Sequence, residues 1–200
     1  MNTFKLSSTH INELTNKLKQ HHDIYRFPVK AELFEDIFDT VINGNNTTWV
    51  GGGHSVSADV VCNTTNTKFQ LKSGELDKNK NTIKWNGHRT TKFKTIQEKI
   101  DFISSHKVDK YVMLARDKKD WDKGNKKYYL LCFESDKIDY SKLSWQEKMG
   151  RKGDPTGWKG TSYDNNNSTP YSAEINKSMS DQLWTTCSLS YLCDPIEINI

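Results

Sequence analysis

The sequence lacks a hydrophobic run of about 18 residues, the length that a membrane-spanning helix requires. Its start, MNTFKLSSTH, has no apolar segment of the kind found in signal peptides. The four cysteines show no CxxC spacing, so neither a zinc site nor a disulfide framework is indicated. We therefore expect a cytoplasmic protein with reduced thiols and no contact with membranes.

Two motifs of common enzyme classes are also missing. The glycine run Gly51–Gly53 is not followed by GK[ST], which excludes a phosphate-binding P-loop. His54 lies next to Ser55, but no GxSxG elbow surrounds it, which disfavours acyl transfer. The 29 basic and 25 acidic residues give a net charge of +4, which permits a polyanionic partner without requiring one.

Hydrophobic periodicity predicts the main elements. Ile11, Leu14 and Leu18 indicate a first helix after Ser7, and VKAELFEDIFDTVI places its apolar residues on one face of a second helix. TIQEKIDFISSH predicts a third helix and MSDQLWTTCSLSYL a final one. Strands are predicted in SADVV, TKFQLK, KYVMLAR and KKYYLLCFE. We interpret residues 1–200 as one α/β domain, with long loops near 73–94 and 150–170.

Charged and polar residues interrupt the first predicted pair of strands. Alternation places Ser57, Asp59 and Val61 on one face of the first strand, and Gln70 and Lys72 on one face of the second. Carboxylate and amide oxygens are ligands for a hard divalent cation, and an ammonium can orient the attacking water in phosphodiester hydrolysis. The Leu71 main-chain carbonyl could add a further ligand. The alternative is a surface ion pair of little energetic consequence.

The order of these residues resembles the PD-(D/E)xK nuclease superfamily, and type II restriction endonucleases in particular. Asp59 is followed eleven positions later by Gln70-Leu71-Lys72, and an amphipathic helix with Glu35 precedes both. Ala58 stands where the family has proline, and Gln70 stands where it has Asp or Glu. Some type II enzymes use this QxK version of the motif.

The resemblance implies a mixed central sheet flanked by helices, as in restriction endonucleases. It implies a homodimer that cuts double-stranded DNA at a specific sequence with Mg²⁺ and without an organic cofactor. Asp59, Gln70 and the helix carboxylate would bind the metal, and Lys72 would assist the attacking water. We assign Glu35 as the helix carboxylate because it lies at the edge of the stripe around Phe34, with Glu32 as the open alternative.

Basic residues follow the motif in two segments. Lysines there would contact phosphates, whereas asparagine, histidine and arginine could reach base edges. The predicted DNA-binding residues are Lys84, Asn86, His88, Arg89, Lys92, Arg151, Lys152 and Lys159. Two other functions stay open at this point: a non-catalytic DNA-binding module, and a repair or recombination nuclease that recognises DNA structure.

Overall fold

The structure, a computed structural model, describes residues 4–44, 58–106, 108–161 and 170–200. Its helices are α1 (Ser8–Ile24), α2 (Ala31–Asn43), α3 (Ile96–Ser105), α4 (Lys118–Asp122) and α5 (Leu189–Leu192). The strands are β1 (Val60–Val61), β2 (Lys68–Asp77), β3 (Thr82–Arg89), β4 (Lys110–Asp117), β5 (Lys127–Glu134), β6 (Ser144–Met149), β7 (Pro155–Thr161), β8 (Tyr171–Asn176), β9 (Gln182–Ser188) and β10 (Ile196–Asn199).

This composition confirms the predicted mixed α/β class. Two compact units are formed, and each contains separate stretches of the chain. The first comprises Met1–Ser73, Val108–Ser135 and Pro195–Ile200, and the second comprises Gly74–Lys107 and Asp136–Asp194. The chain passes from the first unit to the second within β2. None of the described helices is long and apolar enough to cross a membrane.

In the first unit the strands follow the order β10, β5, β4 and β2, and β1 pairs with β2. The first two helices lie where hydrophobic periodicity predicts them. Ser7 caps α1 by accepting a hydrogen bond from the His10 N–H at 3.2 Å, and the His10 ring accepts one from Ser7 in return. The helices and strands enclose one hydrophobic core, whose fully buried members include Leu18, Phe34, Phe38, Phe69, Val112 and Leu130.

In the second unit the strands follow the order β2, β3, β9, β8, β7 and β6, with antiparallel pairing throughout. One face of this sheet is packed. The Tyr140 hydroxyl lies 2.9 Å from the Thr185 hydroxyl, which joins the short 3-10 helix Tyr140–Lys142 to β9. From α3, the ammonium of Lys99 lies 5.6 Å from the centre of the Trp158 ring of β7.

Lys99 is a buried cation that the hydrophobic pattern of α3 does not predict. Its side chain is 1% exposed, and its ammonium donates to Asp181 Oδ2 and to the Thr90 carbonyl, both at 2.8 Å. Asp181, which falls in the first turn of the predicted final helix, instead lies in the turn between β8 and β9 with φ of 49°. The paired carboxylate compensates the ammonium, because burying an unpaired charge costs several kcal/mol.

Two predictions about this second unit are wrong. Residues 73–94 do not form a loop, because β2 continues to Asp77 and β3 follows. Ile83 and Trp85 of β3 are buried, whereas their neighbours Lys84 and Asn86 are exposed. The lysine-rich sequence therefore contains the alternation of apolar and polar residues that is typical of a strand. Similarly, residues 155–161 of the second predicted loop form β7.

The predicted C-terminal helix is also wrong. Residues Gln182–Ser188 form β9, and only Leu189–Leu192 are helical. Leu183, Thr185 and Cys187 are buried at alternate positions, which is the period of a strand. Tryptophan, threonine and cysteine make this segment a better strand than helix former.

Candidate functional site

Asp59 lies at the entrance to β1. Its N–H donates to the Phe69 carbonyl at 2.8 Å, and the strand pairing begins at the next residue, with Val60 opposite Phe69. The predicted strand SADVV is thus reduced to two residues, with Asp59 just before them. Ser57, together with Gly51–Gly53, His54 and Ser55, lies outside the described residues.

The last residue of α2 fixes β1 beside that helix. The Asn43 side-chain amide donates to the Val61 carbonyl at 2.9 Å, and its oxygen accepts from the Asn63 N–H at 2.9 Å. Asn43 therefore joins the helix that carries Glu35 to the strand that follows Asp59.

The Asp59 carboxylate accepts two hydrogen bonds from β2 and faces an ammonium of the same strand. Its Oδ2 accepts a hydrogen bond from the Leu71 N–H at 2.7 Å and another from the Gln70 side-chain amide. The Lys72 ammonium lies 3.6 Å from the same oxygen. The side chains of Asp59 and Lys72 are 22% and 19% exposed, so solvent reaches both members of the pair.

Strand alternation explains why β2 can serve both the core and this site. Phe69 and Leu71 are fully buried in the hydrophobic core. Gln70 and Lys72 point to the other face, as predicted. The hydrogen bond from Gln70 uses its amide nitrogen and leaves its carbonyl oxygen as the group that could coordinate a cation. Leu71 contacts Asp59 through its N–H, and the proposed role of its carbonyl stays a prediction.

Glu35 completes the cluster from α2. Burial, followed by the negative charge of Asp59, raises the pKa of Glu35 to about 7, and the nearby Lys72 ammonium partly opposes the shift. Glu32 and Asp36 on the same helix are exposed. Asp59, Gln70 and Lys72 therefore meet within the first unit, and Glu35 lies near enough for the charges of Asp59 and Lys72 to act on its pKa.

Tyr111 of β4 also lies near Asp59, and it was not predicted from the sequence as a site residue. Burial and the negative charge of Asp59 raise the pKa of Tyr111 to about 12, so its hydroxyl keeps its proton and can donate a hydrogen bond. Its ring stacks on Phe133 of β5, with 5.6 Å between the ring centres. In the sequence, Tyr111 is the residue with a hydroxyl in the apolar run KYVMLAR, and a tyrosine in such a run is equally expected in the hydrophobic core.

The donor set of this cluster suits a hard cation. No group of three or more His, Cys, Asp or Glu side chains that could hold a metal occurs in the part of the chain that the structure describes. The cluster instead offers two carboxylates and the Gln70 amide oxygen, and oxygen is the ligand atom that Mg²⁺ prefers. A bound cation would favour the ionised form of Glu35 and so oppose the rise in its pKa that burial and the charge of Asp59 cause.

The eight residues predicted to bind DNA all lie in the second unit. Lys84, Asn86 and Lys159 are exposed on strands of its sheet. His88 packs against the rings of Phe102 and His106, with the two histidine rings 4.1 Å apart.

The other four of these residues lie in or near turns. Arg89 Nε donates to the side-chain oxygen of Gln182 at 3.3 Å, and Lys92 is exposed just after β3. Arg151 and Lys152 are exposed in the turn between β6 and β7. Residues 162–169, the remainder of the second predicted loop, lie outside the described residues.

No protein-family model matches the chain, and neither a curated protein nor a solved structure is significantly similar to it. The case for a function therefore rests on the residues of the Glu35–Asp59 cluster and on their chemistry.

Proposed function

We propose that the protein is a Mg²⁺-dependent endonuclease that hydrolyses phosphodiester bonds in double-stranded DNA. The proposal extends to a restriction-endonuclease-like fold, sequence-specific cutting of the type II kind, a homodimer and a cytoplasmic location. One observation carries it: an aspartate at the entrance to β1 meets a glutamine and a lysine of β2, beside a half-buried glutamate of the preceding helix.

The environment of Glu35 argues against a simple surface ion pair between Asp59 and Lys72. A surface pair would need no second carboxylate, yet Glu35 is held where burial and Asp59 both oppose its ionisation. Such an arrangement is unfavourable for folding and is typical of functional sites. Two hydrogen bonds and the Lys72 ammonium also converge on one oxygen of Asp59, which fixes its position more firmly than an ion pair alone would.

Each residue would have a separate task. Glu35, Asp59 and the Gln70 amide oxygen, with the Leu71 carbonyl, would hold Mg²⁺, which when bound stabilises the negative charge that develops on the phosphate. The Lys72 ammonium, positioned by Asp59, would orient the attacking water beside the scissile phosphate. The Leu71 N–H would hold Asp59 in place, and Glu35 would have to lose its proton before it could act as a ligand.

Cleavage of DNA tests the proposal directly. Several plasmids and a long phage DNA should be incubated with the purified protein in Mg²⁺, Mn²⁺, or EDTA. We expect discrete fragments of reproducible size with either metal and intact DNA in EDTA. Smearing, or nicks confined to structured DNA, would instead favour a repair or recombination nuclease. Absence of cutting on every substrate with both metals would refute the nuclease proposal.

The pKa of Glu35 makes a prediction about cation binding. Below pH 7 Glu35 carries a proton that the cation must displace, so affinity for Mn²⁺ should fall by about tenfold per pH unit between pH 7 and pH 4.5. Above pH 8 the affinity should level off. Titration calorimetry in buffers of different ionisation enthalpy should detect about one proton released per cation near pH 6.

Variants of α2 provide the controls for this prediction. Glu35→Gln should weaken Mn²⁺ binding and remove most of its pH dependence, whereas Glu32→Gln, which changes an exposed carboxyl, should preserve both. The raised pKa also means that Glu35 favours the folded state below pH 4.5 and loses this contribution as pH rises through 7. Glu35→Gln should therefore raise the Tm of the metal-free protein at pH 8 but not at pH 4.5. Equal Mn²⁺ affinity of the parent at pH 6 and pH 8 would contradict the assignment.

A further inference from the structure

The sheet of the second unit has one packed face and one face covered with polar side chains. Strand alternation buries Ile83 and Trp85 of β3, Leu183 of β9 and Ile175 of β8 on the packed side. Their neighbours along each strand must point to the opposite side. An antiparallel sheet often has one face on the core and one toward water, so the composition of the open face is informative.

The strand register shows which residues meet on this open face. One row across the sheet consists of Asn86, Trp184, Glu174, Lys159 and Gln146. The adjacent row consists of Lys84, Thr186, Ser172, Thr161 and Ser144. None of these ten residues is buried. We name these two rows the polar sheet face.

The side chains of the polar sheet face share one chemistry. Hydroxyl groups, amides and two ammonium groups can all donate hydrogen bonds, and no aliphatic side chain is present in either row. The single acid, Glu174, is paired with Lys148 of β6 at 2.8 Å, so its charge is compensated. Lys84 and Lys159 are exposed and leave the face positively charged.

Lys84 is also held on this face. Its ammonium lies 5.0 Å from the centre of the Trp184 ring on the neighbouring strand, a cation–π contact across the β3–β9 pair. Trp184 is the only aromatic residue of the two rows.

A protein partner is the less suitable occupant. Protein–protein interfaces have an apolar, aromatic-rich centre that is depleted in lysine. The polar sheet face instead presents donors and cations over an area that spans five strands. Phosphate oxygens are contacted by this combination of Lys, Ser, Thr, Asn and Gln side chains.

We propose that the polar sheet face binds the sugar–phosphate backbone of double-stranded DNA. The choice of DNA among polyanions rests on the proposed function, whereas the face itself follows from the register and the charges. Lys84 and Lys159 neutralise phosphates, and the hydroxyls and amides between them donate to phosphate oxygens. The sequence predicts Lys84 and Lys159 to bind DNA but cannot place them on one surface, because β3 and β7 belong to the same sheet face only through β9 and β8.

Binding of a labelled DNA duplex of mixed sequence tests the inference. Fluorescence anisotropy on the full chain should be measured in Ca²⁺ without Mg²⁺, so that binding is observed without cleavage, over a series of salt concentrations. Lys84→Ala/Lys159→Ala should weaken binding by at least about tenfold and reduce the slope of log affinity against log salt by about 1.8, or 0.9 for each phosphate contact.

A matched variant controls for the loss of two positive charges. Lys142 is exposed on the 3-10 helix that packs against the opposite face of the sheet. The Lys177 ammonium lies 5.1 Å from the centre of the Trp158 ring, and Lys99 of α3 contacts the same ring on the packed side. Lys142→Ala/Lys177→Ala should bind DNA within about twofold of the parent and keep its salt slope. Lys84→Arg/Lys159→Arg should also retain binding, and unchanged circular dichroism should establish that each variant is folded.

The possible outcomes separate this inference from the nuclease proposal. If the parent binds the duplex and only the Lys84/Lys159 variant loses affinity and slope, the inference holds even where no Mg²⁺-dependent cutting is found. If the parent cuts DNA but the Lys84/Lys159 variant binds as the parent does, the inference alone is overturned. Equal losses in the two double variants, or no binding of the duplex by the parent, would also overturn it.

Discussion

Asp59→Asn should lower Mg²⁺-dependent DNA cleavage by at least about a thousandfold, equivalent to about 4 kcal/mol of transition-state stabilisation. The substitution removes a carboxylate that would bind the cation and the charge that holds Lys72 in place. It keeps the size of the side chain, and the amide oxygen can still accept the hydrogen bond that the Leu71 N–H now donates at 2.7 Å. Folding should therefore be preserved.

Purified variants measured side by side would check this prediction. Asp36→Asn is the matched control, because Asp36 is an exposed carboxylate on α2 and should not affect cleavage. Asp59→Asn should also lower the pKa of Glu35, because the negative charge of Asp59 is one cause of its elevation. A variant that cuts plasmid DNA as fast as the parent would refute the site assignment, and it would show that any nuclease activity comes from elsewhere.

The elements that sequence could predict are those whose signal is local. The apolar stripe of α2 and the apolar runs of β4 and β5 appear as predicted, because periodicity within a dozen residues decides them. β3 was missed because its alternation lies within a lysine- and asparagine-rich segment typical of a loop, and β9 because Trp184 and Thr186, at its half-buried outward positions, blur the alternation. Their buried positions become evident only once Ile83 is placed opposite Cys187 in the sheet.

The candidate site shows the same division between local and long-range information. The helical position of Glu35 could be inferred from its angle to Phe34, because that angle depends on α2 alone. The raised pKa of Glu35 could not be inferred from the sequence, because it depends on burial and on the approach of Asp59 from another part of the chain. Tyr111 was missed for the same reason, as it meets the charge of Asp59 only through the position of β4 beside β2.

Lys72→Ala gives the sharpest separation of a nuclease from a DNA-binding module. The Lys72 ammonium would act on the attacking water and the scissile phosphate, so its removal should abolish cutting in Mg²⁺. Specific binding in Ca²⁺ should stay within about tenfold of the parent, or about 1.4 kcal/mol. The loss of the Asp59–Lys72 pair itself should cost little stability, because partly exposed ion pairs contribute only about 0 to 1 kcal/mol.

Two further variants define the role of this lysine. Lys72→Arg should not restore cutting, because the planar guanidinium is bulkier than an ammonium and does not readily release a proton. Lys68→Ala, at the exposed start of the same strand, is the matched control and should cut as the parent does. Single-turnover cleavage and Ca²⁺-supported binding should be measured for all three. If Lys72→Ala cuts at the parent rate, the contact of 3.6 Å between Lys72 and Asp59 is only a structural ion pair, and Lys72 has no catalytic role.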